Sequence, residues 1–419
     1  MRIKTAAVVA VSLALAFVGG CTGPQPAATP GTTAQALSGH VTLWLYPVIP
    51  DEAKDKAHWD QVVSAFQTAN PGVTVDYEVF PWANRDEALQ TAIASGTGPD
   101  LVYLIPDQLS AYQDSIEPMT NYLSDDRKAD LLDNVKASVT IGGELMGAPI
   151  LTSSTPLLCN ASAFKAAGVD SYPTTWDDVV AMAPKFTAKG MYALFYPGSS
   201  DETLNTTFYP LLWQAGGSVY TDNGASVGFD SQAGLDALTF LTNLQKMKAL
   251  EPDALTTTPA LEQTALAQGK VGCTWSREVN DLSTLWAPSD LVVLPPLSNQ
   301  KSVTYGTVGV LAMLKGAKDK AAAGAFAEFA TGADQMVPFV TTAGYFSPLK
   351  STGDIYPNDP VQQKVQATLP STTAGELFPS SRALQGAIIP EIQAALLGQK
   401  DPQAALDAAK AAAQPLIAG

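Results

Sequence analysis

From residue 88 onward the apolar positions first repeat at helical spacing and then become continuous. Ala88, Leu89, Ala92 and Ile93 fall on one helical face, Gly96 stands where a left-handed C-cap belongs, and Pro99 stops the helix. Leu101 to Ile105 is unbroken apolar sequence, the pattern of a parallel strand covered on both faces. Pro106-Asp107-Gln108 then fall at the carboxyl end of that strand, where open α/β sheets hold ligands. Upstream, Val41–Tyr46 reads as a strand, Pro47–Asp55 as a loop, and Trp59, Val62, Val63 and Phe66 as the buried face of a helix. Asn70-Pro71-Gly72 ends that helix, Val73–Val79 alternates as a second strand, and Phe80-Pro81-Trp82 is a loop. Strand, helix, strand, helix, strand is how doubly wound sheets are assembled.

The second half repeats the scheme. Leu157-Leu158-Cys159 predicts a strand, with a helix after it up to Gly168. Thr175 caps the next helix, Asp178 reaches back as in a capping box, and Trp176, Val179, Val180 and Ala183 are its buried side. Pro210–Gly217 ends in a glycine turn, and Asp230-Ser231 caps a helix with Leu238, Leu241 and Leu244 inward. A further helix is expected from Pro259 to Gly269-Lys270, then strands at Val271–Trp275 and Leu291–Leu297. Ala322, Phe326, Phe329 and Ala330 share one helical face, Leu384, Ile388 and Ile392 form another stripe, and Asp401-Pro402 opens the last helix.

The chain has 419 residues, 46% hydrophobic and 15% charged, which favours two lobes over one. Met1 to Cys21 is a targeting segment: Arg2 and Lys4 are its positive end, Ala6–Val18 its apolar core, and Val18-Gly19-Gly20-Cys21 its cleavage site. The apolar run is shorter than the roughly 20 residues a bilayer needs. The end of the segment resembles a bacterial lipobox, which makes Cys21 the acylated first residue of the mature chain; the alternative is an ordinary secretory peptide with an incidental cysteine. Thr22–Gly39, rich in Pro, Thr, Ala and Gly, reads as a flexible tether. The chain carries 24 basic and 40 acidic residues; loss of Arg2 and Lys4 leaves 22 against 40, a mature net charge near −18. That argues against a nucleic-acid partner, which needs a basic stripe.

Enzyme motifs are scarce. His40 and His58 are the two imidazoles, one beside the tether and one at a helix start, which argues against a His-based triad. No nucleophile elbow, zincin or P-loop motif occurs, and Gly96-Thr97-Gly98 lacks the third glycine of a dinucleotide turn. No cofactor and no metal site is expected. A secreted carboxylate-pair glycosidase stays open as a different-class alternative, because Asp and Glu are plentiful.

Gln90-Thr91-Ala92-Ile93-Ala94-Ser95-Gly96-Thr97-Gly98-Pro99-Asp100-Leu101-Val102 resembles the signature of extracellular solute-binding proteins of ABC importers, the group that includes maltose-binding protein. Phe66–Val75, Pro156–Gly168, Pro173-Thr174-Thr175-Trp176-Asp177-Asp178 and Pro210–Gly217 extend the likeness, which runs from about Val41 to the C-terminus. The resemblance implies an α/β, two-lobe periplasmic-binding-protein-like fold (type II). Each lobe is then a doubly wound sheet flanked by helices, with the ligand cleft between them. The expected division is a signal peptide over 1–20, a lipid-anchored tether over 21–39, lobe 1 from 40–148 and 304–350, and lobe 2 from 149–303 and 351–419. Gly147-Ala148-Pro149-Ile150 matches the first crossing and Val303–Leu311 the return. Cys159 and Cys273 then share the second lobe's sheet, either as a disulfide or as two buried thiols.

The function implied is capture of a di- or oligosaccharide and its delivery to permease subunits with their ATPase, by a monomer anchored to the outer face of the cytoplasmic membrane. A glycerol-phosphate-type polyol ester is the alternative within the same fold, with Arg277 on the phosphate. A sugar needs polar partners for hydroxyls and flat aromatic faces for its C–H surfaces. Candidates at strand ends are therefore Tyr46, Trp82, Asp107 and Gln108 on the first lobe. On the second they are Trp213, Trp275, Arg277, Glu278 and Arg382, with Ser153, Tyr305 and Gly306 at the crossings. Ser153 replaces a carboxylate of the maltose-binding group, and Leu104 stands where maltose binders place an aromatic.

Overall fold

A computed structural model describes residues 36–82 and 85–417. The leader, Cys21 and the tether as far as residue 35 lie outside the described residues. The first strand begins within the expected tether: β1 (Gly39–Leu45) is followed by α1 (Glu52–Ala69), β2 (Val73–Val79), α2 (Arg85–Ser95), β3 (Leu101–Leu104) and α3 (Pro106–Ala111). Asp51 caps α1 by accepting from Lys54 N, and Trp59, Val62, Val63 and Phe66 are buried beneath it. Gly96 takes the left-handed conformation (φ 70°) expected of a helix stop. Ala88 is exposed, so the buried side of α2 is narrower than its spacing suggests.

β4 (Ile116–Glu117) and β5 (Ala148–Thr152) also belong to the first sheet, which places the first crossing differently from the expectation. Residues 148–152 are still in the first lobe, and the chain leaves it at Ser153. It then builds β6 (Leu157–Asn160), α4 (Ala161–Ala167), α5 (Trp176–Thr187), β7 (Tyr192–Leu194), α6 (Phe208–Gln214), α7 (Gln232–Lys246), β8 (Val271–Thr274), α8 (Val279–Ser283) and β9 (Leu291–Leu294). Thr175 Oγ1 accepts from Asp178 N at 3.1 Å while Asp178 accepts from Thr175 N at 2.9 Å, the reciprocal cap read from the sequence. No long helix follows Pro259; Leu261–Gln263 is a single 3-10 turn and the stretch to Lys270 is irregular. The misreading has a cause: the apolar spacing of Leu261, Ala265 and Leu266 serves a loop whose backbone is held by Glu251, which accepts from Ala265 N at 2.8 Å.

The return passes through β10 (Thr304–Tyr305) into β11 (Val308–Leu314), then α9 (Lys320–Ala330), α10 (Ala333–Ala343), α11 (Pro360–Gln366), β12 (Thr372–Thr373), α12 (Ser381–Leu396) and α13 (Pro402–Ala413). The first sheet has the order β2-β1-β3-β11-β4, with β5 also on β11. β1 is parallel to β2 and β3, but β11 is antiparallel to β3, β4 and β5. The apolar run Leu101–Leu104 is thus a central strand with one parallel and one antiparallel neighbour. Apolar continuity reports cover on two faces and is silent on direction. The second sheet has the order β9-β6-β8-β7. Cys159 and Cys273 stand opposite each other in the antiparallel pair β6–β8 and are joined as a disulfide.

Each sheet has its own core, one around Trp59, Phe66, Phe326 and Phe339, the other around Phe164, Phe186, Phe208 and Phe229. Three strands of chain cross between them. At the first two, Ser153 N donates to Thr307 O (3.0 Å) and Thr155 N to Tyr305 O (3.0 Å). At the third, Thr152 and Phe346 exchange backbone bonds of 2.9 Å each before the chain turns toward the second lobe. Ser351 is still bonded to Asp130 of the first lobe, through its N at 2.8 Å, so the change of lobe falls later than residue 350.

Candidate functional site

The carboxyl ends of β1 and β3 and the end of β8 face a cleft of about 920 Å³, the size of a pocket for a small organic ligand. Trp82, Arg85 and Tyr103 line it from the first lobe, Glu202, Arg277, Glu278 and Asp281 from the second, and Ser153, Tyr305, Thr307 and Tyr345 from the crossings. The loop after β2 supplies the aromatic wall. Trp82 stacks on Tyr46 with ring centroids 5.2 Å apart, and its indole Nε1 donates to Pro47 O at 3.0 Å. The Arg85 guanidinium lies 4.8 Å from the Trp82 ring centre and 5.6 Å from that of Tyr46. Fixed this way, Trp82 still leaves 42% of its surface open, unusual for a tryptophan.

The second-lobe wall is polar. Arg277 Nη2 bonds Glu202 Oε1 at 3.2 Å, its guanidinium lies 5.1 Å from the Phe195 ring centre, and Nη1 donates to Ser276 O at 2.8 Å. Glu278 begins α8, and its carboxyl is pushed up to about 7, first by burial and then by the neighbouring Asp281 charge. A carboxyl raised above its ordinary 4.5 stabilises the fold below that value and loses the contribution as pH rises toward 7. Glu278→Gln is therefore expected to flatten the fall in stability between those two values and to gain up to roughly 3 kcal/mol at neutral pH. Urea midpoints measured across the interval check it.

At the floor, Ser153 Oγ accepts from Thr307 N at 3.1 Å, and Gly306 is confined. A Cβ on Gly306 would stand 2.4 Å from Ser153 O and 2.6 Å from Thr372 Cβ. Gly306→Ala should force two crossings apart and lower stability by about 1–2 kcal/mol, read as a reduced urea midpoint.

Of the residues singled out from sequence, Trp82, Ser153, Arg277, Glu278 and Tyr305 meet in this cleft, with Gly306 at its floor. Tyr46 lies beneath Trp82 and is only 2% exposed, a support rather than a surface. Trp275 does not reach the cleft: it is buried, its Nε1 donating to Thr207 O at 3.3 Å and its ring edge-on to Tyr196. Gln108 also turns inward, accepting from Ile105 N and donating to Asp86. Asp107 and Arg382 face each other instead of the cleft. Arg382 Nε donates to Asp107 Oδ2 at 2.6 Å and Nη1 to Asp86, so one guanidinium from α12 clasps α2 and α3 of the opposite lobe. Burial opposes the Arg382 charge, yet the two carboxylates outweigh it and raise the group's pKa. Trp213 lines a separate small cavity with Asp107 and Tyr305.

Arg85, Asp86, Glu202 and Asp281 escaped the sequence reading, whereas Tyr345, a minor candidate from sequence, does line the cleft. A signal for the first pair existed: a charged run, Arg85-Asp86-Glu87, begins three residues after Trp82. Glu202 lies in the polar turn after β7, where position says little about which lobe edge it meets. Among the described residues no cluster of His, Cys, Asp and Glu could hold a metal ion, and no helix is long and apolar enough to cross a membrane.

Residues 50–337 match the family of bacterial extracellular solute-binding proteins. A Brucella abortus protein named as a binding protein is 25% identical over 375 residues, covering 87% of this chain and 91% of its own. Among solved structures, a solute-binding protein of an ABC transporter from Thermotoga lettingae, bound with α-D-tagatose, superimposes with a TM-score of 0.73 at 24% identity, covering 91% of this chain and 100% of that one. The cyclic α-maltosyl-1,6-maltose binding protein of Arthrobacter globiformis gives 0.77 at 20% identity, covering 91% and 99%.

Proposed function

The chain belongs to the family of bacterial extracellular solute-binding proteins, and on that premise we propose that it captures a di- or oligosaccharide between its lobes and hands it, unaltered, to an ABC importer. The observation that carries the ligand class is the make-up of the cleft. One wall offers the partly exposed Trp82 indole, the other offers Glu202, Arg277, Glu278 and Asp281, and Tyr305 and Tyr345 stand between. Flat aromatic surface serves the C–H faces of a pyranose, and charged hydrogen-bonding groups serve its hydroxyls. The named ligands of the Thermotoga and Arthrobacter proteins support a sugar here. The polyol phosphate ester is less well served, because Arg277 is already engaged by Glu202.

Three crossings allow the lobes to close on a ligand that touches both, and that closure is what a permease can sense. The protein works as a monomer held by a lipid on Cys21 at the outer face of the cytoplasmic membrane, a reading supported by Val18-Gly19-Gly20-Cys21. Metabolic labelling with a tagged fatty acid should mark the wild-type chain and not Cys21→Ser. For the ligand, thermal-shift screening against sugars and polyols, followed by recovery of the bound compound, tests both parts of the proposal. A saccharide that raises the melting temperature and is recovered intact is expected. A library in which only phosphate esters shift, or a saccharide returned hydrolysed, would overturn it.

A further inference from the structure

Beside the main cleft lies a second cavity, of about 20 Å³, lined by Tyr209, Trp213, Tyr220, Tyr305, Asp107 and Gln385. Tyr305 belongs to both, so the two spaces share a wall. Most polar groups around the small cavity are spoken for. Tyr220 OH bonds Ser380 and Ser381, Gln385 Oε1 accepts from Thr203 and Leu204, and Asp107 holds Arg382. Two groups are not. Tyr209 OH and Trp213 Nε1 have no partner in the protein, although the residues are only 4% and 6% exposed. A buried donor without an acceptor is costly and seldom retained.

Gly375, at φ 80°, packs so closely on Trp213 that a Cβ there would lie 2.7 Å from Cζ2, and the chain beside it is irregular from Ala374 to Leu377. Asp107, on another wall, is held by the clasp from Arg382 between the lobes.

Resting on the saccharide reading above, we propose that this cavity is a second subsite, adjoining the cleft across Tyr305, that takes a terminal hydroxyl or hydroxymethyl oxygen of the bound saccharide. The volume admits one water-sized group. An indole N–H can only donate, so the arriving group must bring an acceptor oxygen. The aromatic walls suit the C–H surface that comes with it.

Tyr209→Phe separates a ligand role from a structural one. Calorimetric titration of the full mature chain and the variant with maltose, maltotriose, cellobiose and cellotriose is paired with urea unfolding of each without sugar. The subsite predicts about tenfold weaker binding of the tightest sugar to Tyr209→Phe, with a urea midpoint equal to or above that of the wild type, because an unsatisfied hydroxyl has been removed. Unchanged affinity would overturn the subsite while leaving the saccharide reading intact. A lower midpoint would assign the hydroxyl to a structural water and overturn it too. If the wild type binds none of these four and no saccharide of the screening library, the saccharide reading fails, and the subsite with it.

Discussion

Replacing both Cys159 and Cys273, which are buried in the second sheet's core, by Ser is expected to destabilise the second lobe strongly. The bond between them closes a loop of 114 residues, and in the chain-entropy account a loop of that size is worth roughly 4–5 kcal/mol, less any relaxation of the unfolded chain. The loop contains the whole of α4–α7 and β7, so its loss falls on the second lobe. It also frees β8, whose end carries Ser276, Arg277 and Glu278 into the cleft. Differential scanning calorimetry should show the double variant melting about 5–15 °C lower, with sugar affinity reduced because the Arg277–Glu202 wall has lost its brace. An unchanged melting profile would mean that the strand pair β6–β8 holds unaided.

Arg382→Ala is expected to loosen the two lobes without unfolding either. One guanidinium satisfies Asp86 and Asp107, and its removal leaves two first-lobe carboxylates side by side at the lobe boundary with no cation from the second lobe. Ion pairs at a surface are worth little, but the Asp107 side chain is only 13% exposed, and truncating one member of a half-buried group costs more than the pair contributes. About 2 kcal/mol would shift the balance of lobe arrangements by more than tenfold. Small-angle scattering of ligand-free protein should give a larger radius of gyration for Arg382→Ala than for wild type. Lys410→Ala, which loses an ion pair with Asp230 inside the second lobe, should give none of this change.

The sequence carried the architecture because the fold's signals are local. A capped helix such as α5, a glycine stop such as Gly96 and an apolar strand such as β3 are written in consecutive residues. What escaped depends on contacts far apart in the chain. The direction of β11 beside β3 joins residues some two hundred positions distant, and no periodicity encodes it. The same holds for the site. Trp82, Arg277 and Glu278 follow from their places at strand ends. Nothing near Asp107 announces that residue 382 will neutralise it, or that Trp275 will turn from the strand end into the core. The helix expected after Pro259 failed for the opposite reason: its local spacing was real, and a buried Glu251 carboxylate used it to anchor a loop.

The claim on which the rest depends is that a sugar binds against the exposed part of the Trp82 indole. Titration calorimetry of the tightest saccharide from the screen against wild type, Trp82→Ala and Val79→Ala tests it directly. Val79 is also exposed on the first lobe but lies outside the cleft. Loss of the indole surface should cost about 1.5–2 kcal/mol, a roughly ten- to thirtyfold weaker Kd, with Val79→Ala indistinguishable from wild type. Equal affinity in Trp82→Ala and wild type, at matched urea midpoints, would contradict it.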